Sequence, residues 1–301
     1  MWRIMNFGSV MTAMVTPFDE RGDIDYPATK NLINHLLANG TDALVIAGTT
    51  GESPTLTAEE KVELFKFTVQ TVAGRAPVIA GTGTNSTRES IDLTIQAEET
   101  GVDGIMLVVP YYNKPCQEGL YQHFKTIAQT TTLPVMLYNI PGRSAVNMLP
   151  ETVIRLANDV SNITSIKEAS GDLEAVAAII EHTGDEFFVY TGDDASTLPV
   201  LSIGGTGIVS VSAHIIGNEM QEMVQNFKTG NTKQAAEIYR GLLPIMKAMF
   251  AAPNPSPTKT ALNLLGVPVG GVRLPMIALP ENEVATLKEL LALEDNSTIG
   301  L

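Results

Sequence analysis

Gly104-Ile105-Met106-Leu107-Val108-Val109 is a run without a polar side chain, and Pro110-Tyr111-Tyr112-Asn113 ends it. Leu120, Phe124, Ile127 and Ala128 then recur at helical spacing, and a second apolar run, Val135-Met136-Leu137-Tyr138, follows. A strand apolar on both faces, a turn, an amphipathic helix and another such strand form the unit of a parallel sheet covered by helices. The alternation extends both ways along the chain. Val- and Ile-rich runs at 10–15, 43–47, 78–80, 163–167, 188–191 and 207–211 bring the strand candidates to eight. Between them Thr57-Ala58-Glu59-Glu60 and Ser86-Thr87-Arg88-Glu89 read as capping boxes, and Leu173, Val176, Ala177 and Ile180 as one helix face. Eight such units in succession predict an α/β fold, a closed (β/α)8 TIM barrel. A doubly wound open sheet is the alternative, but no Gly-x-Gly-x-x-Gly follows the first strand. Gly81-Thr82-Gly83 lacks the third glycine and stands too late.

From about Gly230 the strand signal stops. Helical patterns at 235–250, 258–265 and 281–293 are separated by Ala252-Pro253-Asn254-Pro255-Ser256-Pro257. The expected organisation is a catalytic barrel over 1–230 and a C-terminal helical domain over 231–301, packed on the barrel or on another subunit.

Composition narrows the function classes. A formal net charge of −14 argues against nucleic acid and anionic membranes, which want a basic footprint. No apolar run approaches the roughly 20 residues of a membrane span. Met1-Trp2-Arg3-Ile4-Met5-Asn6 lacks the apolar stretch of a signal peptide, and Met1 and Met5 both stand as possible starts. A single cysteine, Cys116, allows no internal disulfide, so a reducing, cytoplasmic setting is expected. His35, His123, His182 and His214 are scattered without metal-ligand spacing; they read as surface or core residues, and neither metal nor cofactor is expected.

The chemistry gathers at strand ends, where barrel loops converge on one face. Asn162-Ile163-Thr164-Ser165-Ile166-Lys167 closes the sixth strand with the only lysine in any strand candidate. A lysine in an apolar setting tends to lose its proton and becomes a nucleophile suited to imine formation with a carbonyl compound. The alternative is a lysine that snorkels from the rim or pairs with Glu168. Other ends carry Gly48-Thr49-Thr50-Gly51-Glu52-Ser53, Tyr138-Asn139-Ile140-Pro141-Gly142-Arg143, Gly192-Asp193-Asp194 and Gly207-Ile208-Val209-Ser210. Singly these read as turns, packed tyrosines or, at Gly204-Gly205-Thr206-Gly207, a generic phosphate nest. Together they offer an electrophile catcher, a proton shuttle and carboxylate anchors.

In this combination the chain resembles the dihydrodipicolinate synthase family of class I, lysine-dependent aldolases, from Gly8 to about Leu279. The resemblance implies that Lys167 forms a Schiff base with pyruvate and that Tyr138 donates and accepts protons. It implies that Thr50 links Tyr138 to Tyr112 in a relay, with Tyr112 reaching in from a neighbouring subunit of a homotetramer, a dimer of dimers. Thr49 and Thr50 would hold the pyruvate carboxylate, Val209 would contact pyruvate through its carbonyl, and Gly192 is placed with the substrate-binding residues. The second substrate implied is L-aspartate-4-semialdehyde, oriented by Arg143, whose planar fork matches a carboxylate. N-acetylneuraminate lyases and 2-keto-3-deoxy-sugar acid aldolases are the alternative, but they are not expected to carry Pro-Gly-Arg after the tyrosine strand. A non-catalytic ligand-binding barrel is the second alternative, with little use for Lys167, Tyr138, Thr50 and Arg143 together. Lysine feedback is common in the family. The corresponding loops keep Ser53, Asn85, Glu89 and Tyr111 but carry Pro54, Ala58 and Lys61 where the inhibited type has a small residue and two histidines, so weak or absent inhibition is expected.

Overall fold

The structure is a computed structural model that describes residues 6–292. Met1 and Met5, the two possible starts, lie outside the described residues. The chain runs β1 (Val10–Ala13), α1 (Tyr26–Ala38), β2 (Ala43–Ile46), α2 (Ala58–Val72), β3 (Val78–Gly81), α3 (Thr87–Glu99), β4 (Gly104–Val108), α4 (Gln117–Ala128), β5 (Val135–Asn139), α5 (Pro141–Ser144), α6 (Pro150–Asp159), β6 (Ile163–Glu168), α7 (Leu173–His182), β7 (Phe188–Thr191), α8 (Thr197–Ser202), β8 (Gly207–Ser210) and α9 (Ala213–Lys228). Then come α10 (Thr232–Ala248), α11 (Ser256–Leu264) and α12 (Glu281–Leu290). Each strand pairs in parallel with the next, and β8 returns to β1 through Val10↔Ile208, Met11↔Val209 and Thr12↔Ser210. This is the TIM barrel expected from the repeated strand–helix unit. Gly207 permits the closure, since a Cβ there would meet the Ser9 carbonyl oxygen at 2.1 Å.

Strand alternation divides the core in two. Met11, Val45, Ile79, Met136, Tyr138, Tyr190 and Val209 point inward and fill the barrel. Leu44, Ile46, Leu137, Ile166 and Val189 point outward against Leu64, Phe65, Phe124 and Leu156 of the surrounding helices. Each such buried side chain contributes about 1.5–3 kcal/mol. Strands apolar on both faces were legible because each face has its own hydrophobic partner.

Local signals set the helix starts. The Thr57 hydroxyl accepts from the Glu60 N–H while Glu60 accepts from the Thr57 N–H, so the capping box before α2 is complete. At α3 the Ser86 hydroxyl accepts from the Glu89 N–H, the forward half of such a box. Helix α10 begins before the expected 235, because Thr232, Lys233 and Gln234 form a polar first turn that no apolar periodicity marks. Helix α11 begins inside the proline-rich stretch: Ser256 and Pro257 occupy its first positions, where a missing N–H costs nothing. Of the helix expected at 281–293, Leu293 lies outside the described residues.

Gly230, at φ 87°, turns the chain from α9 into α10. Met246 of α10 shares a cluster with Met220 and Met223 of α9 and with Val10 and Ile208 of the barrel wall. The tail therefore packs on the barrel's own closing seam. No described helix is long and apolar enough to cross a membrane.

Candidate active site

Lys167 stands in register with Tyr138 of β5 on one side and Tyr190 of β7 on the other. Its neighbours Ile166 and Glu168 point outward, so alternation sends Lys167 into the barrel. Its side chain is 4% exposed, and Nζ lies 4.4 Å from the centroid of the Tyr138 ring. Burial, helped by the positive charge of Arg143 and opposed by Asp194, lowers its pKa to about 8. The alternative pairing with Glu168 is not formed. Glu168 accepts from Asn139 Nδ2 at 2.9 Å and from the Ser170 N–H at 2.7 Å, on the other side of the strand. Among the described residues the Lys167 amine makes no ion pair.

The lysine needs room for its stem, and Gly192 gives it. A Cβ on Gly192 would stand 2.7 Å from Lys167 Cε and 2.6 Å from Ala169 Cβ, closer than any real Cβ contact. Gly192 thus borders the lysine side chain itself.

Tyr138 is 3% exposed, and burial pushes its phenol up to about 12, against a hydrogen bond with the Thr49 side chain and the charge of Arg143. The threonine bonded to Tyr138 is therefore Thr49, where the sequence reading joined Tyr138 to Thr50. Successive side chains diverge in the loop after β2, and sequence does not say which hydroxyl turns toward the phenol. Thr50 is buried and turns elsewhere: its Oγ1 accepts from Asn254 Nδ2 at 2.9 Å.

A cavity of about 260 Å³ opens at Tyr138 and Thr49; Lys167, Thr50, Gly192 and Val209 do not line it. Thr49 from the loop after β2, Val108 and Tyr111 from the end of β4, and Tyr138, Ile140 and Arg143 from β5 and its loop line it. All come from the C-terminal ends of strands, the face where barrels of this kind do chemistry. Arg143 sits in the short helix α5 at the rim and is exposed, free to meet an anion. Val209 is fully buried on the inner face of β8 beside this layer.

Tyr112 behaves differently from the rest. It is 89% exposed, does not line the cavity of its own chain, and holds φ at 74°. A left-handed tyrosine costs about 1–3 kcal/mol, so something must hold it there. The Asn113 N–H donates to the Tyr111 carbonyl at 2.9 Å, Asn85 Nδ2 donates to the same carbonyl at 3.1 Å, and Asn113 Nδ2 donates to the Asn85 carbonyl at 2.8 Å.

Sequence reasoning missed several groups. Asp194 is buried and accepts from the Val211 N–H at 3.2 Å, the Ser212 N–H at 3.0 Å, the Ser212 hydroxyl at 2.9 Å and the Ser210 hydroxyl, which ties the turn after β7 to the end of β8. Its strand-end position was visible; the choice between Asp193 and Asp194 was not. Glu52, held at φ 57°, pairs through Oε1 with Lys259 Nζ at 2.7 Å and accepts the Arg273 N–H at 2.9 Å. Lys259 is 2% exposed, and burial lowers its pKa to about 8 too, with Glu52 opposing. Burial alone thus does not single out Lys167. Its place inside the barrel, without an ion-pair partner, does.

Lys61 of α2 is buried, which lowers its pKa against the opposing charge of Glu89, and Ser53, Pro54 and Tyr111 border the cavity nearby. His123 and His214 are core histidines, both brought to about 4 by burial, and His214 Nε2 accepts from the Val15 N–H at 3.1 Å. Among the described residues no cluster of His, Cys, Asp and Glu could hold a metal ion.

Comparison with known proteins agrees with this geometry. The family model described as the Dihydrodipicolinate synthetase family matches residues 6–293. The 4-hydroxy-tetrahydrodipicolinate synthase of Bacillus subtilis (strain 168) is 60% identical over 288 residues, covering 96% of this chain and 99% of that protein. A crystal structure of a dihydrodipicolinate synthase from Bacillus anthracis superposes with a TM-score of 0.94 at 54% identity, covering 97% of this chain and 100% of the other. The enzyme from Cyanidioschyzon merolae, solved with lysine bound, gives a TM-score of 0.94 at 48% identity, covering 95% and 98%.

Proposed function

The chain belongs to the dihydrodipicolinate synthetase family, and we propose that it condenses pyruvate with L-aspartate-4-semialdehyde, the step that 4-hydroxy-tetrahydrodipicolinate synthases perform in the diaminopimelate and lysine pathway. One observation carries the reading: a buried lysine without an ion pair, its ammonium disfavoured by desolvation, lies against a buried tyrosine at the mouth of the barrel. The neutral Lys167 amine attacks the keto carbon of pyruvate, and loss of water leaves an iminium. That iminium is an electron sink, so a methyl proton departs and an enamine forms. The enamine carbon attacks the aldehyde of the semialdehyde, whose oxygen takes up a proton. Water then releases the product from Lys167.

Tyr138 moves these protons. Its phenol is too weak an acid at about 12 to ionise freely, so it works as a carrier, taking one proton as it passes another through Thr49. Tyr112 of a neighbouring subunit completes the relay; its exposure and its turn, pinned by Asn85 and Asn113, support that role, and with it a homotetramer. Thr50 and Thr49 hold the pyruvate carboxylate, with the Val209 carbonyl on the far side. Arg143 at the rim receives the semialdehyde carboxylate, which favours this reaction over aldolases of polyhydroxylated acids. Of the expected units 1–230 and 231–301, the barrel carries the chemistry and the described helices α10, α11 and α12 brace it. The single cysteine suits the cytosol.

The test is borohydride trapping with pyruvate followed by mass measurement. A pyruvate-sized adduct lost in Lys167→Ala is expected, and an untouched wild-type mass would sink the reading.

A further inference from the structure

We propose that Asn254, in the turn before α11, is a positioning residue that keeps the Thr50 hydroxyl turned as a donor toward the pyruvate carboxylate. The proposal rests on the function above and deepens it at one atom. A threonine hydroxyl has one proton and two lone pairs. Asn254 Nδ2 donates to Thr50 Oγ1 at 2.9 Å, which occupies a lone pair and leaves the proton for another acceptor. An anionic carboxylate accepts only, so a hydroxyl with its oxygen already satisfied is the form the site needs. Without that amide, Thr50 is free to turn its lone pairs toward the carboxylate instead.

The rest of the contact is built to hold this one bond. Asn254 is 6% exposed, and its Oδ1 is buried without a hydrogen-bond partner, so the amide is not placed there for its own satisfaction. Two residues beyond Thr50 the loop is fastened to the same tail segment again, by the 2.7 Å ion pair of Glu52 with Lys259. Lys259 Nζ also donates to the Gly271 carbonyl at 2.6 Å, and the Arg273 N–H donates to the other Glu52 oxygen at 2.9 Å. Loop and tail are thus stitched at two points, and Thr50 is the one to which the proposed function assigns the pyruvate carboxylate.

Steady-state kinetics on the full-length protein test it. Asn254→Ala is expected to raise the pyruvate KM about tenfold, while kcat at saturating pyruvate and the semialdehyde KM stay within about twofold. Asn254→Asp keeps the shape but loses the donor, and its oxygen would take the Thr50 proton instead, so it should raise the pyruvate KM at least as much. In a Thr50→Val background, which has no hydroxyl to orient, adding Asn254→Ala should change the pyruvate KM less than about twofold. The proposal is overturned if both single variants leave the pyruvate KM unchanged, if they alter kcat and both KM values together, or if the Asn254→Ala effect persists undiminished beside Thr50→Val. Borohydride trapping of the wild type is run alongside: an adduct there with no selective KM effect removes only the role of Asn254, whereas no adduct removes the imine reading.

Discussion

Lys167 Nζ and the Tyr138 ring lie 4.4 Å apart, on adjacent strands and in register, both facing into the barrel. Burial disfavours the ammonium there, Asp194 opposes and Arg143 adds to it, and the amine comes to about 8. At that value roughly a tenth of the lysine is neutral at pH 7, against well under a thousandth for an unperturbed side chain. The nucleophile is the deprotonated form, so trapping of the pyruvate imine should climb about tenfold per pH unit below 8 and level off above it. Tyr138, near 12, stays protonated across this range and cannot produce the inflection. Trapping rates that keep climbing past pH 10 would show an ordinary lysine.

Removing the phenol should stop proton movement without closing the site. Tyr138→Phe is expected to lower kcat by about 10²–10⁴ while pyruvate affinity shifts little. Because Thr49 is the hydroxyl bonded to Tyr138, Thr49→Val should reproduce much of that kcat loss. A loss of kcat larger in Thr50→Val than in Thr49→Val would return the relay to Thr50.

Arg143 is exposed at the rim of the cavity that Thr49 and Tyr138 also line. Arg143→Ala should raise the semialdehyde KM by about tenfold or more, the scale of a lost charged hydrogen bond, and leave pyruvate trapping at its normal rate. Unchanged semialdehyde kinetics would mean that another group reads that carboxylate.

Lys61 and Glu89 act electrostatically on one another, and Glu89 acts on Tyr111 as well, so the Lys61 cation offsets the charge that could attract a free amino acid's ammonium. Added L-lysine should therefore inhibit weakly or not at all. Half-maximal inhibition at sub-millimolar L-lysine in a steady-state assay would refute this, and Lys61→His should increase sensitivity.

The barrel was legible because its information is local. Each strand is a short run apolar on both faces, and each helix has a face at regular spacing or a cap such as Thr57 with Glu60. Lys167 was legible for the same reason, as the one charged residue at the end of such a run. What escaped depends on pairs distant in sequence. Asn254 meets Thr50 from 204 positions away, and nothing in a proline-rich stretch marks one of its residues as a partner of the loop after β2. The roles of Thr49 and Thr50 turn on which hydroxyl a tight loop aims at Tyr138, a question of backbone torsion that composition does not carry. Lys259 reads as an ordinary helical lysine until the fold buries it against Glu52.

That buried pair supports a last prediction, on stability. Lys259 Nζ lies 4.1 Å and Arg273 Cζ 4.4 Å from the centroid of the Phe18 ring; Glu52 pairs with the lysine and Glu60 with the arginine, which makes this crowding tolerable. Lys259→Met leaves Glu52 charged and buried with its ion-pair partner gone, and should destabilise the protein by about 3–5 kcal/mol. Glu52→Gln strands the lysine in turn. The double variant removes both desolvated charges and should recover most of the loss, since a buried pair is costly to break and cheap to replace. The pH dependence has a definite sign. The folded value of about 8 lies below the lysine's ordinary 10.5, so the unfolded chain holds this proton more tightly. Lys259 therefore makes stability rise with pH between about 8 and 10.5, and this component should vanish in the double variant. Melting curves of the four proteins across that window decide the matter. A double variant as unstable as the worse single one would mean that Glu52 and Lys259 matter for their shapes and not for their charges.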